Sequence, residues 1–194
     1  MTLERDHLPQ SYNRSIHYQN TAEHPKLIAA IRALLPKSSA KQIIVICIGT
    51  DRSTGDSLGP LVGMHLENQH PSRMPIYGTL EHPVHAMNLE ETLATIHSIY
   101  YNPFIIAVDA CLGKLTNVGK ICVANGPVLP GAGVNKKLTP VGNMNITGIV
   151  NVSGYMEYSV LQNTRLDIVM KLSRVISHVL FHAIELPIVK ESIL

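Results

Sequence analysis

Six consecutive apolar residues, Ile43-Ile44-Val45-Ile46-Cys47-Ile48, run directly into a loop of small and polar residues, Gly49-Thr50-Asp51-Arg52-Ser53-Thr54-Gly55-Asp56-Ser57. A short, mostly β-branched run of this kind predicts a strand buried on both faces, which is the environment of a central parallel strand. Beyond the loop, Leu61, Val62 and Leu66 fall at helical spacing. The stretch is therefore strand, loop, helix. In an open α/β sheet, ligands bind where such loops leave the carboxyl ends of the strands. This loop carries two aspartates and an arginine.

The remainder of the chain is consistent with that unit. Residues 1–22 are polar and predict a loosely held N-terminal arm. Residues 23–194 predict a single domain, since 194 residues suffice for one full core. Leu27, Ile28, Ile31, Leu34 and Leu35 form a helical stripe closed by Pro36. Asp56 or Ser57 can N-cap the helix after the loop, with Pro60 tolerated in its first turn. A short strand is expected near residues 74–80, and Asn88 with Glu91 resembles a capping pair opening another helix. Phe104-Ile105-Ile106-Ala107-Val108 is a second buried strand, ending on Asp109. The link from there to the strand 120–124 is too short for a helical crossover, so that strand should run antiparallel to its predecessor. Residues 125–145 form a long loop, followed by a strand over 146–152. Thr164 and Asp167 suggest a capping box for a strongly amphipathic terminal helix. The alternation predicts an α/β domain, a three-layer sandwich with a mixed, mostly parallel sheet.

Composition excludes several classes. Net charge is +2 without a basic or acidic run, and Trp is absent. Neither nucleic acid nor an anionic membrane is suggested as a partner. No apolar run reaches the length of a membrane span. The three cysteines, Cys47, Cys111 and Cys122, form no CxxC and lie in apolar strands. They read as buried reduced thiols of a cytoplasmic protein.

The candidate chemistry lies in two acids, Asp56 after the first buried strand and Asp109 at the end of the second. If those strands are neighbours, both carboxyls reach one crevice. Two close carboxyls do not ionise together easily, so one stays protonated while the other acts as base. Such a pair can activate water against an amide carbonyl, or bind a divalent metal. Taken singly, Asp56 reads equally well as a helix cap and Asp109 as a strand-end turn residue. Arg52 could pair with Asp51 or face a substrate carbonyl. His82 and His85 could add to a metal site or simply be solvated. Lys136 and Lys137 read as exposed cations. The loop matches neither GxGxxG nor GxxxxGK[ST]. Ser53, Ser57 and Ser153 have no base at a recognisable spacing, so a serine triad is not supported. The apolar side of the terminal helix is one place for a homo-oligomer contact.

The run from Gly49 to Val62 with its Asp-Ser-Leu-Gly-Pro core, Val108-Asp109-Ala110, and Pro130-Gly131-Ala132-Gly133-Val134 together resemble the spore germination protease group. The likeness covers roughly residues 40–185 and extends to short sporulation members of that group. It implies a phosphorylase/hydrolase-like α/β fold shared with hydrogenase maturation endopeptidases. It also implies a cytoplasmic, forespore endopeptidase acting on a protein, with small acid-soluble spore proteins as the substrate class. Asp56 and Asp109 would be the catalytic pair of an atypical aspartic mechanism needing no metal or other cofactor. Arg52 and the backbone around Gly131 and Gly133 would bind substrate. In the hydrogenase maturation enzymes the two matching acids and a later histidine bind metal. The loop 125–145 has no histidine here, which favours the germination-protease side. Rival readings are a non-enzymatic binding module of the same fold and a metal-dependent hydrolase using Asp56, Asp109 and His82 or His85.

Overall fold

A computed structural model describes residues 12–38, 41–130 and 139–186. In chain order the elements are β1 (Tyr12–His17), α1 (His24–Leu34), β2 (Ile43–Cys47), α2 (Leu58–Glu67), β3 (Ile76–Tyr77) and α3 (Leu89–Ile99). They continue as β4 (Phe104–Gly113), β5 (Lys120–Asn125), β6 (Met144–Val152), α4 (Glu157–Gln162) and α5 (Leu166–Ile184).

The six strands make one sheet in the order β1-β5-β6-β4-β2-β3. β3, β2, β4 and β6 are mutually parallel. β5 runs antiparallel to β6, and β1 antiparallel to β5. Side chains alternate across the sheet, and the two faces have different covers. Val45, Cys47, Ile106 and Val108 join a large core with α1, α2 and α5, while Ile44, Ile46, Ile105 and Ala107 join a smaller one with α3. Ile44, Val45 and Ile46 have no exposed surface at all. Each such side chain contributes about 1.5–3 kcal/mol by leaving water. The apolar run of β2 is thus explained by helices on both sides of it, and the three-layer, mostly parallel α/β architecture follows.

Glycines bring α2 close to the sheet. A Cβ on Gly59 would lie 2.0 Å from the Ile48 carbonyl oxygen, and one on Gly63 would lie 2.1 Å from that of Gly78. Neither position has room for a side chain, so the helix sits directly over the carboxyl end of β2.

Several expectations are corrected. Residues 12–17, expected within the arm, form edge strand β1, whose Ile16 reaches the core. β5 is antiparallel in direction to β4 but does not pair with it, because β6 inserts between them. The strand near 74–80 shrinks to two residues. The two capping boxes do not form. Asn88 is at the N-cap of α3, but its side chain accepts from the His85 N–H and donates to the Pro83 carbonyl. Thr164 donates to the Val160 carbonyl, and Asp167 pairs with Lys171. α4 was not anticipated: it is short and has no repeating apolar stripe.

Candidate active site

The strand order settles whether the two acids can meet. β2 and β4 are neighbours in register, Cys47 opposite Val108, and the Ile48 N–H donates to the Val108 carbonyl at 2.7 Å. From β2 the chain turns by α2 to β3 on one side. From β4 it continues to β5 and β6 on the other. The carboxyl ends of β2 and β4 are therefore a topological switch point, where diverging connections leave a crevice. Asp56 and Asp109 both belong to it.

Asp56 is held by a tightly folded turn. Gly49 has φ +149°, and a Cβ there would lie 1.9 Å from the Asp56 carbonyl oxygen. The Thr50 N–H donates to that same oxygen at 3.2 Å, and the Gly49 N–H to the Val84 carbonyl at 2.8 Å. Further on, the Gly55 N–H donates to the Leu161 carbonyl of α4 at 2.9 Å, latching the turn to the segment after β6. Ser57 takes the N-cap position of α2 and turns its hydroxyl to the Thr54 carbonyl, so Asp56 is not a helix cap.

Asp109 sits within β4, which runs on to Gly113, so it is not a terminal turn residue either. Its Oδ1 accepts from the Ala110 N–H at 2.8 Å.

Both carboxyls are half-buried. Burial raises the pKa of Asp56, and the nearby hydroxyl of Ser53 partly opposes the rise. Ser53 Oγ is itself buried and falls short of hydrogen-bond geometry with any partner. Asp109 is pushed well above the ordinary carboxyl range, first by burial and then by the negative charge of Asp56. The Ala110 N–H opposes that rise without cancelling it. The two environments thus separate the pair: Asp109 holds its proton more strongly, and Asp56 is the more readily ionised.

Other predicted residues fall less centrally. Arg52 and Asp51 are exposed on the outer part of the turn, and no ion pair joins them. Gly131, Gly133, Lys136 and Lys137 lie outside the described residues. His82 and His85 line a cleft beside β3. Among the described residues no three His, Cys, Asp or Glu side chains come together as a metal site. Residues 131–138 contain none of these types. The metal-dependent reading through His82 or His85 loses its third ligand.

Sequence reasoning missed two hydroxyls. From the sequence Ser53 reads only as a possible nucleophile, yet it is the neighbour that favours ionised Asp56. Thr147 on β6 is in register with Asp109, buried, with Oγ1 outside hydrogen-bond geometry. Only the strand order could have revealed it. Cys111, two residues beyond Asp109, has its thiol pushed up to about 12, chiefly by burial, so it is no nucleophile at neutral pH.

The fold is a three-layer α/β protein whose two candidate acids, Asp56 and Asp109, lie near the carboxyl ends of adjacent parallel strands. A family described as "Protein of unknown function (DUF1256)" matches residues 15–179, and the chain belongs to that family. It is 51% identical over 162 residues to the uncharacterized protein YyaC of Bacillus subtilis (strain 168), covering 84% of this chain and 79% of that protein. YyaC is the short relative that the motifs resemble. Among solved structures, the [NiFe] hydrogenase maturation protease HycI from Thermococcus kodakarensis KOD1 is 15% identical with a TM-score of 0.48. The match covers 77% of this chain and 97% of that one. No helix among the described residues is long and apolar enough to cross a membrane.

Proposed function

We propose that the chain is an endopeptidase of the germination-protease type, in which Asp56 and Asp109 hydrolyse a peptide bond of a protein substrate during sporulation or germination. The observation that carries this reading is the separated acid pair in the switch-point crevice. Asp56, the more readily ionised, takes a proton from water as the water oxygen bonds to the amide carbonyl carbon. Asp109, which keeps its proton, donates it to the leaving nitrogen as the C–N bond breaks. The proton on Asp56 then returns to Asp109 to reset the pair. Arg52, exposed on the Asp56 turn, would be the cation that meets the carbonyl oxygen as charge develops. The motif resemblance supports the forespore cytoplasm as the setting and small acid-soluble spore proteins as the substrate class.

The test is incubation of the protein with an extract of spore proteins, beside Asp56→Asn and Asp109→Asn, with fragments read by mass spectrometry. New termini with wild type alone, both variants being folded, support the reading. No cleavage by wild type in that extract, with the acids intact and folding verified, replaces it with a binding module of the same fold.

A further inference from the structure

A second concavity of about 550 Å³ lies along β3, the free edge of the sheet. Ile76 and Tyr77 form its floor. Glu67, from the end of α2, stands on one side of the sheet, and Thr92 of α3 on the other. The cleft therefore straddles a strand edge, with a helix from each outer layer as a wall. The Val45 N–H of β2 donates to the Pro75 carbonyl at 3.0 Å. In a trans peptide the next N–H points the opposite way, so Ile76 directs its N–H, and by alternation its C=O, out into the cleft. An unpaired donor and acceptor on one edge residue are what an added strand pairs with.

The far wall is rigid. Thr79 and His82 exchange two hydrogen bonds, Thr79 N–H to the His82 carbonyl and His82 N–H to Thr79 Oγ1, both at 3.1 Å. The His85 N–H is held by Asn88 Oδ1 at 2.8 Å. This wall ends at Val84, which bridges Ile48 and accepts from Gly49, the glycine packed on Asp56. The cleft thus leads toward the acid crevice.

Its charge selects the occupant. Glu67 and Glu81 are exposed in the lining without an ion-pair partner among the described residues, and neither Lys nor Arg lines it. We propose that the β3 edge cleft docks an extended, lysine- or arginine-bearing peptide segment as an added strand, beside the acid pair. The proposal rests on the peptidase reading only for the fate of the bound segment. Docking itself is read without cleavage.

The probe is a fluorescein-labelled peptide of about ten residues alternating Lys and Thr, compared with its Glu-for-Lys counterpart. The protein is the full chain carrying Asp109→Asn, so that no hydrolysis intervenes. Binding is followed by anisotropy and by amide exchange. The Lys peptide is expected to bind, to weaken with salt, and to slow exchange at Ile76. Glu67→Gln with Glu81→Gln, both at exposed positions, should weaken binding roughly three- to tenfold. Ile76→Pro, which removes an N–H outside the β2 ladder, should weaken it independently. No preference for the Lys peptide over the Glu peptide overturns the proposal. So does binding untouched by both variants, or unchanged exchange at residues 76–79. Binding as predicted with no cleavage by wild type would sink the peptidase reading and leave the docking site standing.

Discussion

Asp56 and Asp109 reach the same crevice by opposite means. Asp109 is built into β4, paired with Thr147 of β6 and one residue beyond Val108, where the ladder with β2 ends, so its backbone is tied into the sheet. Asp56 sits in a turn outside the sheet, held by glycine packing at Gly49 and by a single bond from Gly55 to α4. The strand position gives the stronger upward pKa shift, first by burial and then by the negative charge of Asp56. The turn position leaves Asp56 with a milder one and a hydroxyl beside it. On the proposed reading, one fold would make an acid and a base from the same side chain, by placing one in the sheet and the other beside it.

The largest expected effect tests whether both are needed. Asp56→Asn and Asp109→Asn should each lower the cleavage rate by about 10²–10⁴-fold, the range of a lost general acid or base. The double variant should fall little further, because the two act as one unit. A double variant that multiplies the single losses, in single-turnover rates on a cleaved spore protein, would separate the acids into independent roles.

The next effect tests how the turn is held. Gly49→Ala places a methyl group into the Asp56 backbone at a positive φ, and should destabilise the fold by about 2–3 kcal/mol in urea unfolding. Gly55→Ala meets first a Leu161 methyl at 2.7 Å, the end of a side chain able to move, and should cost only about 1 kcal/mol. Equal losses at both positions would mean that the α4 latch is as unyielding as the Gly49 contact.

These elements also mark what the sequence carries and what it does not. The two apolar runs that precede the acids were legible, because a strand buried on both faces leaves its pattern in every residue from Ile43 to Ile48. That β2 and β4 adjoin was not. It depends on which side of β2 the two-residue β3 settles, and Ile76–Tyr77 is too short to leave a pattern. The insertion of β6 between β4 and β5 is a choice between pairings that hydrophobic periodicity cannot distinguish. β1 was lost because a polar edge strand shows the core little besides Ile16. Asn88 and Thr164 were misread because a short polar side chain can bond any nearby backbone group, and only the fold decides which. Gly131 and Gly133 stay expectations, lying outside the described residues.

A smaller effect reads the acid in the sheet through stability. A carboxyl with a raised folded pKa binds its proton more tightly in the native state than in the unfolded chain. The stability it lends is complete in acid, below the unfolded value, and is lost as pH rises through the folded value. Asn cannot titrate and should lose nothing in that window. The melting temperature of Asp109→Asn relative to wild type should therefore climb as pH rises above the ordinary aspartate value of about 4. Asp56→Asn should show the same sign with a smaller amplitude, since its shift is weaker. Reversed amplitudes would exchange the two roles.

The smallest effect belongs to Ser53, and it sharpens the contrast most. Its hydroxyl is buried yet outside hydrogen-bond geometry, so Ser53→Ala removes no bond that the fold depends on. Stability should stay within about 0.5 kcal/mol of wild type. The same hydroxyl favours the ionised form of Asp56, so its loss should raise the pKa of the base. The acidic limb of the cleavage rate against pH should then move to higher pH, while the alkaline limb, set by Asp109, stays in place. A merely structural serine would lower the rate at every pH alike. Movement of the acidic limb alone would assign that limb to Asp56, and with it the division of labour that the strand and the turn create.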